Sequence, residues 1–166
     1  DAKFDLINLK ADFNAVINSF DLNFNGKKIL NLKSVKDRLK LDFKGVPVLS
    51  SQFLNADIKF DKTTTISIKN FENIMQFSPF LKNLGIKSGN LKISSKDFLN
   101  FDIFGENLKF DFGILHKNGE AYNNDNFSLK VTPNLVSGES ESKILSFKFG
   151  KNKNVVNITN ADYLVN

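Results

Sequence analysis

The chain has 166 residues, no cysteine, and a formal net charge of +5 from 23 basic and 18 acidic residues. Without cysteine, a disulfide framework, a zinc ribbon and a thiol nucleophile are excluded. The lysines are interleaved with acidic residues, and the chain lacks the arginine forks and aromatic motifs that read nucleic acids, so no nucleic-acid partner is expected. We find neither a signal peptide nor a long apolar run. The expectation is one β-rich domain over residues 1–166, as the soluble part of a longer protein whose membrane anchor lies outside them.

Alternating apolar and polar residues dominate the first part of the chain, as in strands with one dry and one wet face. The alternation at Phe20, Leu22 and Phe24 runs up to Asn25-Gly26, a strong hairpin signal. Further strands are predicted over residues 29–33, 39–43, 56–60 and 64–68. This order predicts an antiparallel meander rather than βαβ units.

The alternation breaks near residues 70–84, where two short helices are predicted. Asn70 is the expected N-cap of the first helix, and its apolar stripe begins at Phe71. Ser78-Pro79 supplies the N-cap and first residue of the second. The apolar stripe is expected to cover an end or a face of the sheet.

Alternation resumes after the helices, with turn signals at Lys96-Asp97, Gly105 and Asn118-Gly119. The segment over residues 136–142 is consistent with a weak polar strand or with a loop. Strands are predicted over residues 91–93, 101–103, 108–112, 127–131, 145–149 and 156–158. With about 10–12 strands in all, the fold class is mainly β, an antiparallel meander in the form of a sandwich, a barrel or an open half-barrel.

The sequence offers no catalytic constellation. His116 is the single histidine and lies beside a turn signal, and the hydrolase, zincin and nucleotide-binding motifs are all missing. Glu139 and Glu141 would share one face of an extended segment, but no third acid completes a calcium site, which favours a solvated loop. Asn126 and Asn157 begin glycosylation sequons that an asparagine-rich chain produces by chance. We therefore expect a non-enzymatic protein without metal or cofactor.

The apolar face is the remaining feature. Leaving a dozen large apolar side chains in water would cost on the order of tens of kcal/mol, several times the net stability of a domain. That face must be covered, either by the same chain as a closed core, or by acyl chains or a neighbouring segment of a longer protein. Alternation alone leaves both open.

The segment over residues 70–94, a short helical stretch with a proline followed by a Gly-containing entry into a strand, resembles AsmA-like envelope proteins of the TamB and YhdP type. The residues that carry the resemblance are Phe71, Ile74, Phe80, Leu81, Leu84, Ile86, Gly89, Leu91 and Ile93.

The resemblance implies a periplasmic β-sheet trough, from a parent protein anchored in the inner membrane, that takes part in outer-membrane homeostasis and phospholipid transport. The implied partners are a phospholipid or other acyl-chain ligand and neighbouring segments of the same parent protein. The residues expected to line the groove are Phe101, Ile103, Leu108, Phe110, Phe112, Phe127, Leu129, Phe147 and Phe149. The alternative is a structural or adhesive β-domain with a closed core, which binds protein through loops such as Asn118–Asn126.

Overall fold

A computed structural model describes residues 2–24, 27–78, 85–111, 116–117 and 120–159. One helix, α1, spans Glu72–Met75. The strands are β1 Ala2–Asp5, β2 Lys10–Phe24, β3 Lys27–Asp42, β4 Val48–Ser51, β5 Ala56–Lys59, β6 Thr64–Ile68, β7 Ile86–Ser95, β8 Phe101–Phe110, β9 His116–Lys117, β10 Glu120–Ala121, β11 Asn124–Thr132, β12 Leu135–Ser140, β13 Leu145–Gly150 and β14 Asn154–Ile158.

Twelve of these strands form one antiparallel sheet, in the order β1-β2-β3-β4-β5-β6-β7-β8-β11-β12-β13-β14, and the sheet is not closed. Strands β9 and β10 form a separate small hairpin between β8 and β11. The chain exposes 11568 Å², whereas a compact protein of 18.7 kDa exposes about 8,300 Å². The predicted antiparallel meander is confirmed. The sheet is not closed into a barrel, because β1 and β14 remain separate edges.

Two predicted pairs of strands are each one long strand with an irregularity. The segments over residues 29–33 and 39–43 both belong to β3, where Ser34 has a φ of 52°. The segment over residues 101–103 and the part of 108–112 up to Phe110 both belong to β8, where Asn107 has a φ of 51°. Gly105 was predicted as a turn but lies inside β8, where a side chain would come within 2.6 Å of Leu108. The break in alternation at Ser34 therefore lies inside β3, whose register with β2 is the same on both sides of it. The break near Asn107 accompanies shifts in the register of β8 with β7 and β11.

The short strands β4, β5 and β6 leave a notch between their longer neighbours. Pairing of β3 with β4 stops at Leu39, and pairing of β6 with β7 stops at Leu91, so the remainder of β3 and β7 bounds an open space. The segment around α1 fills this notch. The amide N–H of Phe71 donates to the carbonyl of Gly89 on β7 at 2.9 Å, and the N–H of Asn31 on β3 donates to the carbonyl of Phe77 at 2.8 Å.

The helical region differs from the prediction in two respects. The described residues contain one helix rather than two, and the second predicted helix falls mostly on residues 79–84, which lie outside the described ranges. The N-cap of α1 is Phe71 without a side-chain cap, while Asn70 precedes it with a φ of 48°. The predicted apolar stripe is confirmed, since Phe71 and Ile74 are buried.

Three further predictions concern residues 136–142 and two turns. Residues 136–142, left open between strand and loop, fall mainly in β12. The hairpin turn at Asn25-Gly26 and the turn at Asn118-Gly119 lie outside the described residues, although the strands on either side of each pair with one another.

Candidate functional site

One ladder of cross-strand neighbours runs through the whole sheet and consists of apolar residues and one glycine. Residues directly opposite in antiparallel strands point to the same face, so this ladder lies on one side of the sheet. We call it the central apolar row. Its members, from β1 to β14, are Phe4, Ala11, Leu41, Leu49, Ile58, Ile66, Ile93, Ile103, Leu129, Gly138, Phe147 and Val156.

The next ladder, on the opposite face, is polar at all but one position. Its members are Lys3, Asp12, Lys40, Ser50, Asp57, Ser67, Lys92, Phe104, Ser128, Glu139, Ser146 and Asn157. Opposite charges meet on this face. Arg38 donates three hydrogen bonds to Asp12, at 2.9, 3.2 and 2.6 Å, and this guanidinium lowers the pKa of the Asp12 carboxyl. The exception is Phe104, which is 40% exposed.

The apolar face has a covered part at the end where α1 fills the notch. This cluster consists of Phe71, Ile74, Leu108, Phe110, Tyr122, Phe127 and Ile144. The rings of Tyr122 and Phe127 meet the ring of Phe110 edge-on, with centroids 4.9 and 5.9 Å away. Gly89 and Gly105 leave room for Leu108, since a Cβ at either position would lie 2.6–2.7 Å from its methyl groups. The chain closes this part with its own residues.

The rest of the apolar face is an open part, which retains solvent-accessible apolar surface. The rings of Phe147 and Phe149 stack at 5.3 Å, and Phe147 lies over Gly138, where a Cβ would come within 2.6 Å of the ring. Phe149 and Val156 are exposed, the latter at 55%. Ile103 and Leu129 on the same face are partly exposed, so this part of the face retains apolar surface in contact with water.

The predicted groove residues divide between the two parts. Leu108, Phe110 and Phe127 are buried in the covered cluster. Phe112 lies outside the described residues. The five that lie on the same face with solvent-accessible surface are Phe101, Ile103, Leu129, Phe147 and Phe149.

The polar residues considered as candidate sites have separate structural partners. Glu139 forms an ion pair with Lys143 at 2.8 Å, and Glu141 accepts a hydrogen bond from the Asn126 amide at 2.5 Å. The backbone of His116 pairs with Ala121 in the β9–β10 hairpin, and its side chain lies outside the description. Within the described ranges, no three His, Cys, Asp or Glu side chains are grouped as a metal site.

Two cavities are lined mainly by polar residues. One of about 780 Å³ lies along β7, β8 and β11–β14, and its walls contain Phe104 as well as Ile103, Leu129, Gly138 and Phe147 of the central apolar row. Another of about 990 Å³ is lined by polar residues on either side of the β9–β10 hairpin, including Tyr122 and Asp125. The Tyr122 hydroxyl donates to Asp125 at 2.6 Å, and burial together with this bond raises the pKa of Tyr122 to about 12.

Sequence reasoning missed much of the central apolar row. Leu41, Ile58, Ile66 and Ile93 were assigned to strands but not to a candidate surface, and Leu49 on β4 was in no predicted strand. The alternation that identified each strand also gives the face, and the short hairpin turns fix the register between neighbours. Combining the two would have aligned these residues with Ile103 and Leu129.

A scan of the sequence against protein-family models finds no match, and searches of the curated proteins and of the solved structures find none either. In the described part of the chain, no helix is both long and apolar enough to cross a bilayer.

Proposed function

We propose that this chain is a non-enzymatic, AsmA-like periplasmic module that holds phospholipid acyl chains along the open part of its apolar face. In this proposal the sheet curves into an elongated trough, and the parent protein is anchored in the inner membrane and takes part in phospholipid transport and outer-membrane homeostasis. Neighbouring segments of the parent protein would continue the trough. The cellular setting is inferred from the resemblance of residues 70–94 to AsmA-like proteins.

The observation that carries the proposal is the continuity of the central apolar row. It extends over twelve strands, or about 50 Å at the usual strand spacing, without a polar side chain. Moving one methylene group from water to an apolar surface is favourable by about 0.8 kcal/mol. An acyl chain on this row would be retained by many such contacts and would meet no charged or hydrogen-bonding side chain as it moved along.

The segregation of polar groups also supports this function. Serine, lysine and acidic residues occupy the opposite ladder, so a lipid headgroup would find polar partners only outside the row or across the sheet edge.

The alternative of a structural domain that binds protein through its loops has one supporting observation. The cavity of about 990 Å³ is lined by asparagines, Tyr122 and Asp125 of the segment predicted as a loop over residues 118–126. In the structure this segment contains β10 and the start of β11. Loss of lipid binding in the experiment below would favour this alternative.

The test compares two double variants that change neighbouring residues on opposite faces. Ile103→Ser with Val156→Ser alters the central apolar row, and Phe104→Ser with Val155→Ser alters the polar face of the same strands. We expect organic extraction of the purified chain to yield phospholipid by mass spectrometry. Affinity for a fluorescent fatty acid should fall about tenfold or more in the first variant and stay unchanged in the second.

Circular dichroism and urea unfolding of all proteins separate binding from folding. The proposal is wrong if the wild-type chain yields no lipid and binds no fatty acid. It is also wrong if the two folded double variants lose the same affinity, since the apolar row would then have no special role.

A further inference from the structure

Six turns of the sheet lie at the same end, which we call the turn end. In an antiparallel meander alternate connections return to the same side, and here these are the β1–β2, β3–β4, β5–β6, β7–β8, β11–β12 and β13–β14 turns. Successive turns are two strands apart, or about 10 Å where all strands are adjacent. The α1 segment and the covered cluster lie at the opposite end.

Exposed apolar side chains concentrate at the turn end. Of the 15 large apolar residues that are exposed in the described part of the chain, eight are in or beside these turns, namely Leu6, Ile7, Leu9, Phe43, Val46, Phe60, Phe98 and Leu99. Ile7 is 94% exposed and Phe98 is 64% exposed. At the opposite end, Ile144 in the β12–β13 turn is 1% exposed. Turn position alone therefore does not explain the exposure.

Two of these apolar residues also have an unfavourable backbone conformation. Leu9 has a φ of 53° and Phe98 a φ of 58°, in the left-handed region that large side chains rarely adopt. Asn55, Asn70 and Asn107 show the residue type that tolerates this conformation elsewhere in the chain. Neither the solvent exposure of Leu9 and Phe98 nor a large apolar residue in this backbone conformation stabilises the fold. Residues kept at a cost to stability are expected to have a function.

The charge at this end is positive. Residues 5–10, 42–47, 59–63, 96–100 and 151–153 contain seven lysines and four aspartates, a net charge of +3. Each aspartate accepts a backbone hydrogen bond from its own turn, Asp5 from Ile7, Asp42 from Lys44, Asp61 from Lys62 and Asp97 from Leu99. Among the described residues, Lys10 is the lysine of this group with an acidic partner, Asp42 at 3.2 Å.

We propose that the turn end docks on the surface of a bilayer that contains anionic phospholipids. Apolar side chains beside lysines, projecting on separate tips, suit insertion between headgroups, because a fluid interface needs no matching shape. A folded protein partner would instead require a continuous complementary patch. Leu9 and Phe98 insert, and lysines such as Lys44 and Lys62 attract the headgroups. The inference does not depend on the acyl-chain function proposed above.

The experiment measures co-sedimentation of the purified 166-residue chain with vesicles of phosphatidylcholine alone or mixed with phosphatidylglycerol. The turn-end variant is Leu9→Asn with Phe98→Asn, which removes apolar tips and relieves the backbone. The control is Phe20→Asn with Phe104→Asn, which removes exposed rings elsewhere. We expect the wild type and the control to bind mixed vesicles, with weaker binding at high salt, and the turn-end variant to bind about tenfold less or weaker still.

Several results would overturn the proposal. They are absence of binding of the wild type to mixed vesicles, equal binding of the turn-end variant, and self-association through this end without vesicle binding. The fluorescent fatty acid distinguishes this proposal from the previous one. The turn-end variant should retain fatty-acid affinity, and the Ile103→Ser, Val156→Ser variant should retain vesicle binding.

Discussion

The two ends of the sheet differ in the burial of large apolar side chains. At the covered end, Phe71 and Ile144 are almost fully buried, whereas Phe98 and Ile7 at the turn end are in water. The difference follows from strand length. Strands β4, β5 and β6 are too short to fill the space between β3 and β7, and the α1 segment occupies the notch. At the turn end the twelve strands finish within two residues of one another, so no comparable space exists for the chain to fill.

The largest expected effect is on folding stability at the covered end. Phe110 is 3% exposed and contacts two aromatic rings, so Phe110→Ala should lower the free energy of unfolding by about 3–5 kcal/mol. Phe98→Ala, the same substitution at the turn end, should change it by about 0.5 kcal/mol or less. Urea unfolding measures both. Similar losses would mean that the two ends are not different in packing.

The second prediction concerns the pKa of Tyr122 at the covered end. Burial and the hydrogen bond to Asp125 raise this pKa to about 12, while an unfolded tyrosine titrates near 10. Because the folded pKa is the higher one, the stability from this group is complete below about pH 10 and is lost as the pH rises towards 12. Phenolate absorbance in a Tyr163→Phe background isolates Tyr122. A midpoint near 10 would show that the covered end is open to water.

The Tyr122→Phe variant is the matched control for this titration. Tyr122→Phe keeps the ring against Phe110 but removes the titrating hydroxyl, so alkaline loss of stability over this range should become smaller. If the variant and the wild type lose the same stability, another group causes the alkaline loss.

The smallest expected effect is at the turn end. Hydrogen bonds from the backbone N–H groups of Asn100 and Leu99 and from the Asn100 amide lower the pKa of Asp97 to about 2. The folded pKa is below the unfolded one, so the stability from Asp97 is present above about pH 4 and is lost as the pH falls towards 2. The carboxylate is exposed, and we expect only a slight loss. Asp97→Asn should flatten this part of the acid unfolding curve, and an unchanged curve would assign the acid sensitivity elsewhere.

Much of the sheet could be predicted from alternation alone. The strands around Ile58, Ile66, Leu129 and Phe147 lie where the period of two places them, and their apolar residues share one face. The α1 stripe was also recoverable, because Phe71 and Ile74 have helical spacing.

The long strands and the open sheet could not be predicted in the same way. Ser34 and Asn107 interrupt the period of two inside β3 and β8. Such an interruption in a sequence has the same appearance as a turn between two separate strands. Whether β14 meets β1 depends on the accumulated twist and curvature of all strands, which no local pattern contains. The candidate surface was therefore identified as a face, but Leu108, Phe110 and Phe127 could not be separated from its open part.

The central apolar row also has a consequence for how a sheet of this kind can gain or lose strands. In the described part of the chain, each of the twelve strands forms its ladder hydrogen bonds only with its neighbours in the sheet, and every hairpin contributes two residues to the row. Duplicating or deleting one hairpin would lengthen or shorten the sheet by about 10 Å while leaving the remaining ladder in register. Length is thus a quantity that gene duplication can adjust in uniform steps, as in repeat proteins.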